Sequence, residues 1–243
     1  MNLIADLLDI IYPPRCHVCM DFIDRAPDKA PEICNNCLEN IREISHPYCP
    51  VCGLPFSSKA GDDHLCEKCI LDRPHFDEMR APYFYEGPIM EAVHRIKYSG
   101  RSDIINSLVP VLVKFTRNWL SDTNKMLIIP VPLHKKKLRQ RGYNQSVLIA
   151  RKIHRQLGAE LDYLSLKRIR YTKTQTGLNV RERQRNVKGA FEVCDESIIS
   201  GRDVILVDDV ATTGSTMNEC AKELKNAGCG KVFGLVLART AVY

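Results

Sequence analysis

Residues 204–217 read VILVDDVATTGSTM, and this stretch decides the fold. It begins with four apolar, mostly β-branched residues, a pattern typical of a short buried strand in a parallel sheet. Two aspartates, Asp208 and Asp209, stand where that strand is expected to end. A small, hydroxyl-rich turn at residues 211–216 then leads into a helical pattern that runs to Ala227. The stretch therefore predicts a strand, a turn and a helix, with an acidic pair at the bend.

The turn at residues 211–216, called the phosphate loop below, has the features of an anion site. A tight turn at a helix N-terminus points several backbone N–H groups at one spot, and the helix dipole strengthens the attraction. Gly214 lets the backbone approach a ligand closely. Two carboxylates beside a phosphate are unfavourable unless the ligand brings a cation and hydroxyl donors, as a ribose with Mg²⁺ does. An ordinary capped turn is the simpler alternative, but buried adjacent acids have little structural use there.

The stretch resembles the phosphoribosyl pyrophosphate motif of type I phosphoribosyltransferases, in which a strand, two acids and a Thr-Thr-Gly loop follow one another. The resemblance implies that Asp208 and Asp209 hold the ribose hydroxyls and are the catalytic residues. It also implies that the phosphate loop cradles the 5′-phosphate. The implied ligand set is Asp208, Asp209, Val210, Ala211, Thr212, Thr213, Gly214, Ser215 and Thr216.

Four Cys-x-x-Cys pairs stand near the start of the chain and indicate bound metal. Each such turn presents two thiolates to one tetrahedral ion. Fourteen residues separate the first two pairs and thirteen separate the last two, which suits two tandem zinc ribbons holding two Zn²⁺ ions. Cross-braced pairing, first with third and second with fourth, also fits the sequence. The predicted ligands are Cys16, Cys19, Cys34, Cys37, Cys49, Cys52, Cys66 and Cys69.

The composition is that of a globular protein, with 44% hydrophobic and 26% charged residues. Its 243 residues are enough for one α/β domain plus a smaller module. No apolar run approaches the roughly 20 residues needed to cross a bilayer, and no secretory signal precedes the first cysteine pair. Residues 1–11 carry apolar residues at helical spacing and predict an amphipathic docking helix. We therefore expect a cytoplasmic protein, either free or peripheral at the inner face of the membrane.

Positive charge is concentrated in one block. Residues 135–188 contain sixteen Lys and Arg against three acids, a net charge of +13, whereas the whole chain carries only +6. A block this basic attracts polyanions such as pyrophosphate, nucleotides or nucleic acid. The simpler alternative is a solvated surface, which accounts for a few of these charges but not for so large an excess.

Strand and helix patterns alternate from residue 83 onward. Proline-punctuated residues 71–82 are expected to be a linker between a zinc-ribbon module at 1–72 and a domain at 83–243. Alternation of this kind predicts an α/β domain with a doubly wound parallel sheet. Strands are predicted at 83–85, 126–132, 164–169, 189–193, 204–207 and 231–238, and helices at 88–98, 102–119 and 142–157.

Two basic segments lie in this domain. Residues 134–141 follow a strand directly, at the edge where ligands of open α/β sheets bind, and correspond in a phosphoribosyltransferase to the pyrophosphate loop. Residues 170–188 have almost no apolar content and are expected to be an arm that closes over a bound anion. The predicted pyrophosphate-binding residues are Pro132, Leu133, His134, Arg139, Arg141, Arg181 and Arg185. The predicted nucleic-acid contacts are Lys135, Lys136, Lys137, Arg170, Lys173 and Arg183.

The combination of motifs is narrower than the phosphoribosyltransferases as a whole. After the cysteine pairs come IPVPLH at 129–134, RGYNQ at 141–145, QTGLNVR at 175–181 and finally the Asp208–Asp209 motif. This order is similar to that of the ComF family of competence proteins, a double zinc ribbon fused to a phosphoribosyltransferase-like domain. The resemblance implies a role in natural transformation, with incoming single-stranded DNA handled in the cytoplasm beside a helicase-like partner. Turnover is not implied, since a catalysed reaction is not a settled property of that family.

Three functions fit these features. The first is an active phosphoribosyltransferase whose acceptor is unidentified. The second is a binding module that holds phosphoribosyl pyrophosphate with Mg²⁺ while its basic face holds single-stranded DNA. The third is a non-catalytic zinc-ribbon docking protein. The intact acidic pair and phosphate loop favour ligand binding, so the first two are preferred over the third.

Overall fold

The computed structural model describes residues 12–23, 33–58, 60–172 and 179–241. Within these ranges a six-stranded parallel sheet has the order β1-β8-β7-β3-β4, and β2 pairs with β8 on the same side as β1. The strands are β1 (Glu78–Arg80), β2 (Tyr83–Phe84), β3 (Leu127–Pro130), β4 (Glu160–Leu161), β5 (Leu166–Arg168), β6 (Phe191–Val193), β7 (Val204–Ala211) and β8 (Val232–Arg239).

Helices cover both faces of this sheet. They are α1 (Asn35–Glu39), α2 (Glu67–Leu71), α3 (Gly87–Tyr98), α4 (Ile104–Trp119), α5 (Lys135–Arg141), α6 (Gln145–Leu157), α7 (Val180–Val187) and α8 (Ser215–Asn226), with a 3₁₀ turn at Thr123–Lys125. The residues of β7 alternate between two cores: Ile205 packs with α3, α4 and α6, whereas Leu206 packs with α8. Helices on both faces confirm the predicted doubly wound architecture.

Two strand predictions and one linker prediction need correction. The predicted strand at 164–169 is not part of the parallel sheet, because β5 pairs antiparallel with β6. The predicted linker at 71–82 contains β1, which pairs with β8 although its three residues are too few to give a pattern. Finally, β7 continues past the acidic pair, because it stays paired with β8 as far as Ala211 opposite Arg239.

Both basic segments contain helices where a loop and an arm were expected. His134 caps α5, since its Nδ1 accepts a hydrogen bond of 3.2 Å from the Lys136 N–H. Helix α7 begins with a capping box, in which Asn179 and Glu182 each accept from the other's backbone N–H. Within the predicted arm, residues Val180–Val187 are therefore helical, residues 173–178 lie outside the described part of the chain, and closure over an anion stays a prediction. Lys173 and the Arg181 side chain lie outside the described part of the chain.

The cysteine-rich module packs directly on one edge of the sheet. The backbone N–H of Met79 in β1 donates to Val51 O at 2.8 Å, and the N–H of Phe84 in β2 donates to Arg42 O at 3.0 Å. Strands β1 and β2 thus join the sheet to the module. Residues 1–11, where the amphipathic helix is predicted, lie outside the described residues. Among the described residues, no helix has both the length and the apolar character needed to span a bilayer.

Candidate functional site

The acidic pair lies in a cavity at the carboxyl edge of the sheet. Parallel strands all end at this edge, so β7 brings Asp208 and Asp209 beside Val131, which follows β3. The cavity has a volume of about 470 Å³, and α3, α5 and α6 contribute to its walls. We call it the ligand cavity. The ligand cavity brings the acidic pair of β7 together with the basic segment at residues 134–141, which the sequence analysis also expects at this edge of the sheet.

Asp208 is held by two donors. The Ser146 hydroxyl in α6 donates to Asp208 Oδ1 at 2.8 Å, and the Asp209 N–H donates to the same atom at 2.9 Å. Burial and the nearby charge of Asp209 nevertheless raise the pKa of Asp208 to about 7. A carboxyl with this pKa gains from any ligand that supplies hydroxyl donors or positive charge to its ionised form. Ser146 was not among the residues predicted from the sequence, although it directly follows the RGYNQ motif.

Asp209 pairs with a lysine from a distant helix. Lys97 in α3 places its Nζ 2.8 Å from Asp209 Oδ2, and Asp209 is only 8% exposed. Burial alone would lower the pKa of Lys97, but the charge of Asp209 outweighs it and the pKa lies above the ordinary value. Lys97 therefore stays protonated at neutral pH. Lys97 was not predicted as a site residue, and its one sequence signal is its place just before the helix stop at Ser99 and Gly100.

The phosphate loop connects β7 to α8 as predicted. Gly214 adopts a φ of +74°, which allows the tight turn at the start of α8. The hydroxyls of Thr213 and Ser215 lie 2.7 Å apart, and the Ser215 N–H donates to Thr213 Oγ1 at 3.4 Å. A small pocket of about 20 Å³, about the size of one water, lies within the loop and is lined by Thr212 and Thr216 among others.

Besides Lys97, four cationic side chains line the ligand cavity: Lys137, Arg141, Arg168 and Arg183. Arg141 donates to Gln145 Oε1 at 2.7 Å, and Arg168 donates to the Thr172 hydroxyl. Burial lowers the pKa values of Lys137 and Arg168, which an anion in the cavity would restore. Arg168 was not predicted to be a site residue.

The residues predicted to bind pyrophosphate or nucleic acid divide into those that line the ligand cavity and those that do not. Leu133 and Arg141 from the pyrophosphate set line it, as do Lys137 and Arg183 from the nucleic-acid set. Pro132, His134 and the exposed Arg139 are not among its lining residues. Lys135 and Lys136 are also exposed, on α5 outside the cavity.

Two predicted basic residues lie near α7 instead. Arg170 donates to the backbone oxygens of Asn186 at 3.1 Å and Lys188 at 2.6 Å. Arg185 lines a second cavity, of about 480 Å³, between α8 and the cysteine-rich module. Arg185 and Asp208 therefore line different cavities.

The eight paired cysteines form two four-sulfur clusters. The first cluster is Cys16, Cys19, Cys34 and Cys37, and the second cluster is Cys49, Cys52, Cys66 and Cys69. The pairing is sequential, so the cross-braced alternative is wrong. Sulfur pairs lie 3.7 to 3.8 Å apart. Four sulfurs bound at about 2.3 Å to one tetrahedral Zn²⁺ ion would stand about 3.8 Å apart, so both clusters fit zinc.

Comparison with known proteins agrees with this architecture. Residues 7–70 match the model of the double zinc ribbon domain, and residues 144–241 match that of the phosphoribosyl transferase domain. The chain is 35% identical to DNA utilization protein YhgH of Escherichia coli K12, over 86% of this chain and 90% of that protein. It is 34% identical to competence protein F of Haemophilus influenzae, over 85% and 90%, and 28% identical to competence protein ComFC of Bacillus subtilis, over 83% and 80%. The chain therefore belongs to the ComF family, whose members join a double zinc ribbon to a phosphoribosyltransferase domain.

Proposed function

We propose that the protein binds phosphoribosyl pyrophosphate with Mg²⁺ in the ligand cavity. The observation that carries the proposal is the carboxylate pair of β7 beside the phosphate loop, opposite a wall of cations. The carboxylates suit the two ribose hydroxyls, the loop suits the 5′-phosphate, and the cations suit the pyrophosphate. A ligand carrying all three groups satisfies every part of the cavity.

The same arrangement supports displacement at the anomeric carbon of the ribose. The acceptor forms a bond to that carbon while the carbon–oxygen bond to pyrophosphate breaks, and the electron pair leaves with the pyrophosphate oxygen. Positive charge that develops on the sugar is offset by Asp208 and Asp209. Lys137, Arg141 and Arg168 stabilise the departing pyrophosphate, and Mg²⁺, when bound with the ligand, shares in neutralising its charge. The acceptor is not assigned, so the proposal concerns ligand binding first.

Calorimetric titration of phosphoribosyl pyrophosphate with Mg²⁺ into zinc-loaded protein tests the binding. The double variant Asp208→Asn/Asp209→Asn keeps the size of both side chains and is expected to lose at least tenfold in affinity, since charge-assisted hydrogen bonds contribute about 1.5–3 kcal/mol each. Asp122→Asn is the control, because Asp122 is exposed and asparagine tolerates its φ of +53°. Equal binding by the double variant, or no binding by the wild type, would contradict the proposal and favour the docking-protein alternative.

We further propose a role in natural transformation, in which the protein handles incoming single-stranded DNA. The names of the relatives, competence protein F and DNA utilization protein, support this role. The structure adds an exposed basic surface on α5, formed by Lys135, Lys136 and Arg139. Beside it the Tyr171 ring is 44% exposed, and Lys136 Nζ lies 5.6 Å from the ring centroid. One aromatic platform among many cations favours contact through phosphates. A helicase-like competence protein is the partner that the family implies.

Fluorescence anisotropy with labelled single-stranded DNA at increasing salt tests this surface. The triple variant Lys135→Ala/Lys136→Ala/Arg139→Ala is expected to bind more weakly and to reduce the salt slope by about 0.7 for each phosphate that the protein no longer neutralises. A control triple at exposed lysines elsewhere, Lys114, Lys125 and Lys231 to Ala, carries the same change in charge. An equally weakened control, or binding by the wild type that does not respond to salt, would contradict the assignment.

A further inference from the structure

The second cluster touches the phosphate loop through a lysine. Lys68 stands in α2, between the cluster ligands Cys66 and Cys69, and its Nζ donates to Thr213 O at 2.7 Å. Thr213 belongs to the phosphate loop, so this bond joins a zinc-ribbon helix to the loop itself. The peptide whose oxygen it holds carries the Gly214 N–H, one of the backbone groups that set the shape of the turn.

A buried arginine makes the second link. Arg239 ends β8 opposite Ala211, the first residue of the phosphate loop, and the neighbouring Thr240 N–H donates to Ala211 O at 3.1 Å. Its side chain is 4% exposed and runs to the second cluster, where Nη2 donates to Cys52 Sγ at 3.5 Å. Its Nε and Nη1 have no hydrogen-bond partner in the part of the chain that the structure describes. A buried guanidinium so placed is costly unless it faces negative charge.

The zinc-loaded second cluster supplies that charge. Four thiolates around one Zn²⁺ ion carry a net charge of −2, and all four cysteines of the second cluster are buried. Water cannot screen this charge well, so a buried cation beside the sulfurs has a large effect. Hydrogen-bond donors to metal ligands typically change metal affinity about 10- to 100-fold. A zinc ion held in the second cluster and Arg239 would therefore stabilise each other.

A packing contact completes the connection. The Met79 N–H donates to Val51 O, between Cys49 and Cys52 of the second cluster, at 2.8 Å. A methyl group placed on Gly214 would lie 3.4 Å from Met79 Cε, so the Met79 side chain packs against the phosphate loop. Lys68, Arg239 and Met79 thus lie close to the loop, and none of them lines the ligand cavity.

We propose that the second cluster, when it holds zinc, positions the phosphate loop through Arg239 and Lys68, so that zinc in this cluster and an anion in the loop stabilise each other. Arg239 and Lys68 are positioning residues in this scheme, since neither lines the ligand cavity. The structural part of the proposal needs no ligand, whereas the effect on affinity rests on the proposed binding of phosphoribosyl pyrophosphate. Because coupling between two binding events is reciprocal, the ligand should also retain the zinc.

The test uses the full chain with both zinc ions bound and the variants Lys68→Met and Arg239→Met. Hydrogen exchange of the amides at 212–217 is expected to be faster in both variants without any ligand. Arg239→Met should also release one of its two zinc ions to a chromogenic chelator at least fivefold faster. Both variants should bind phosphoribosyl pyrophosphate with Mg²⁺ at least fivefold more weakly, and saturating ligand should slow release of one zinc from the wild type. Arg15→Met is the matched control, since exposed Arg15 lies beside the first cluster.

The readouts separate this inference from the proposed function. If the wild type binds no phosphoribosyl pyrophosphate but both variants speed exchange at 212–217, the positioning stands and the proposed ligand is wrong. If the wild type binds the ligand while Lys68→Met leaves exchange and affinity unchanged, the proposed function stands and the inference is overturned. Lys68→Met carries the test even if Arg239→Met does not fold, because Lys68 is exposed on a short surface helix.

Discussion

The two four-cysteine clusters have the same ligands and nearly the same spacing, yet the fold uses them differently. The first cluster lies in the core that includes α3, α4 and α6, and Cys19 and Cys34 are partly exposed. The second cluster lies in the core on the α8 face, with all four cysteines buried beside the phosphate loop. A metal motif therefore identifies the ion, whereas the residues packed around it decide whether the ion also bears on another site.

Removing one ligand from each cluster should separate the two most strongly. Cys66→Ser and Cys34→Ser should each lower the zinc content from two ions to one. Cys66→Ser should also lower the free energy of unfolding of the sheet by about 4 kcal/mol or more, because all four cysteines of its cluster are buried, whereas Cys19 and Cys34 of the first cluster are partly exposed. The measurement is urea unfolding followed by the fluorescence of the single tryptophan, Trp119, which packs against Phe233 of β8. Equal destabilisation by the two variants would contradict the comparison.

A glycine in the second module, the part of the cysteine-rich module that holds the second cluster, should give the next strongest effect. Gly53 has a φ of +65°, and a Cβ placed on it would lie 2.4 Å from the Met79 backbone oxygen. Gly53→Ala should therefore lower the free energy of unfolding by about 2–3 kcal/mol, through backbone strain and displacement of β1. Gly61→Ala is the matched control in the same module, since its φ is +103° but nothing lies within 4 Å. If the two variants were equally destabilised, the close approach between the second module and β1 would be unimportant.

The sequence predicts those features of the site that are local in the chain. The phosphate loop and the acidic pair follow a strand directly, so a single stretch contains the whole turn. The cysteine spacing likewise favours sequential pairing, because each four-sulfur cluster closes over about twenty residues of chain. The doubly wound sheet follows from the alternation of strand and helix patterns.

Features that depend on distant contacts are not predictable in this way. Lys97 pairs with Asp209 because α3 packs against the carboxyl edge of the sheet, and its place just before a helix stop does not by itself mark that lysine as a site residue. Strand β1 exists because β8 pairs with it, and α7 forms within the expected arm because its capping box outweighs a shortage of apolar residues. The link from Arg239 to Cys52 joins residues from opposite ends of the chain. Only the assembled fold shows that the second cluster lies next to the phosphate loop.

A smaller change in the free energy of unfolding is expected at the ligand cavity. Here the substitution should stabilise the protein, whereas substitutions at the clusters should destabilise it. Burial and the charge of Asp209 raise the pKa of Asp208 from 3.8 to about 7. The folded state therefore binds this proton more tightly than the unfolded state, so the contribution to stability is greatest below pH 4 and is lost as the pH rises to 7. Asp208→Asn should raise the free energy of unfolding at pH 8 by on the order of 1–2 kcal/mol, with little gain at pH 4. Urea unfolding of ligand-free protein at both pH values checks this, and a gain that does not depend on pH would contradict it.

The weakest effect is expected from the polar contacts that hold the first module, the part of the cysteine-rich module with the first cluster, against α4. Asp103 lies 3.6 Å from His17 Nε2 and 2.8 Å from Arg101 Nη2, but its side chain is 43% exposed. Exposed ion pairs contribute about 0–1 kcal/mol, so Asp103→Asn should change the free energy of unfolding by less than about 1 kcal/mol. It should leave hydrogen exchange at residues 212–217 and the affinity for phosphoribosyl pyrophosphate unchanged, because Asp103 lies beside the first cluster. A change in either would mean that the first module also bears on the phosphate loop, and the proposed distinction between the two clusters would then fail.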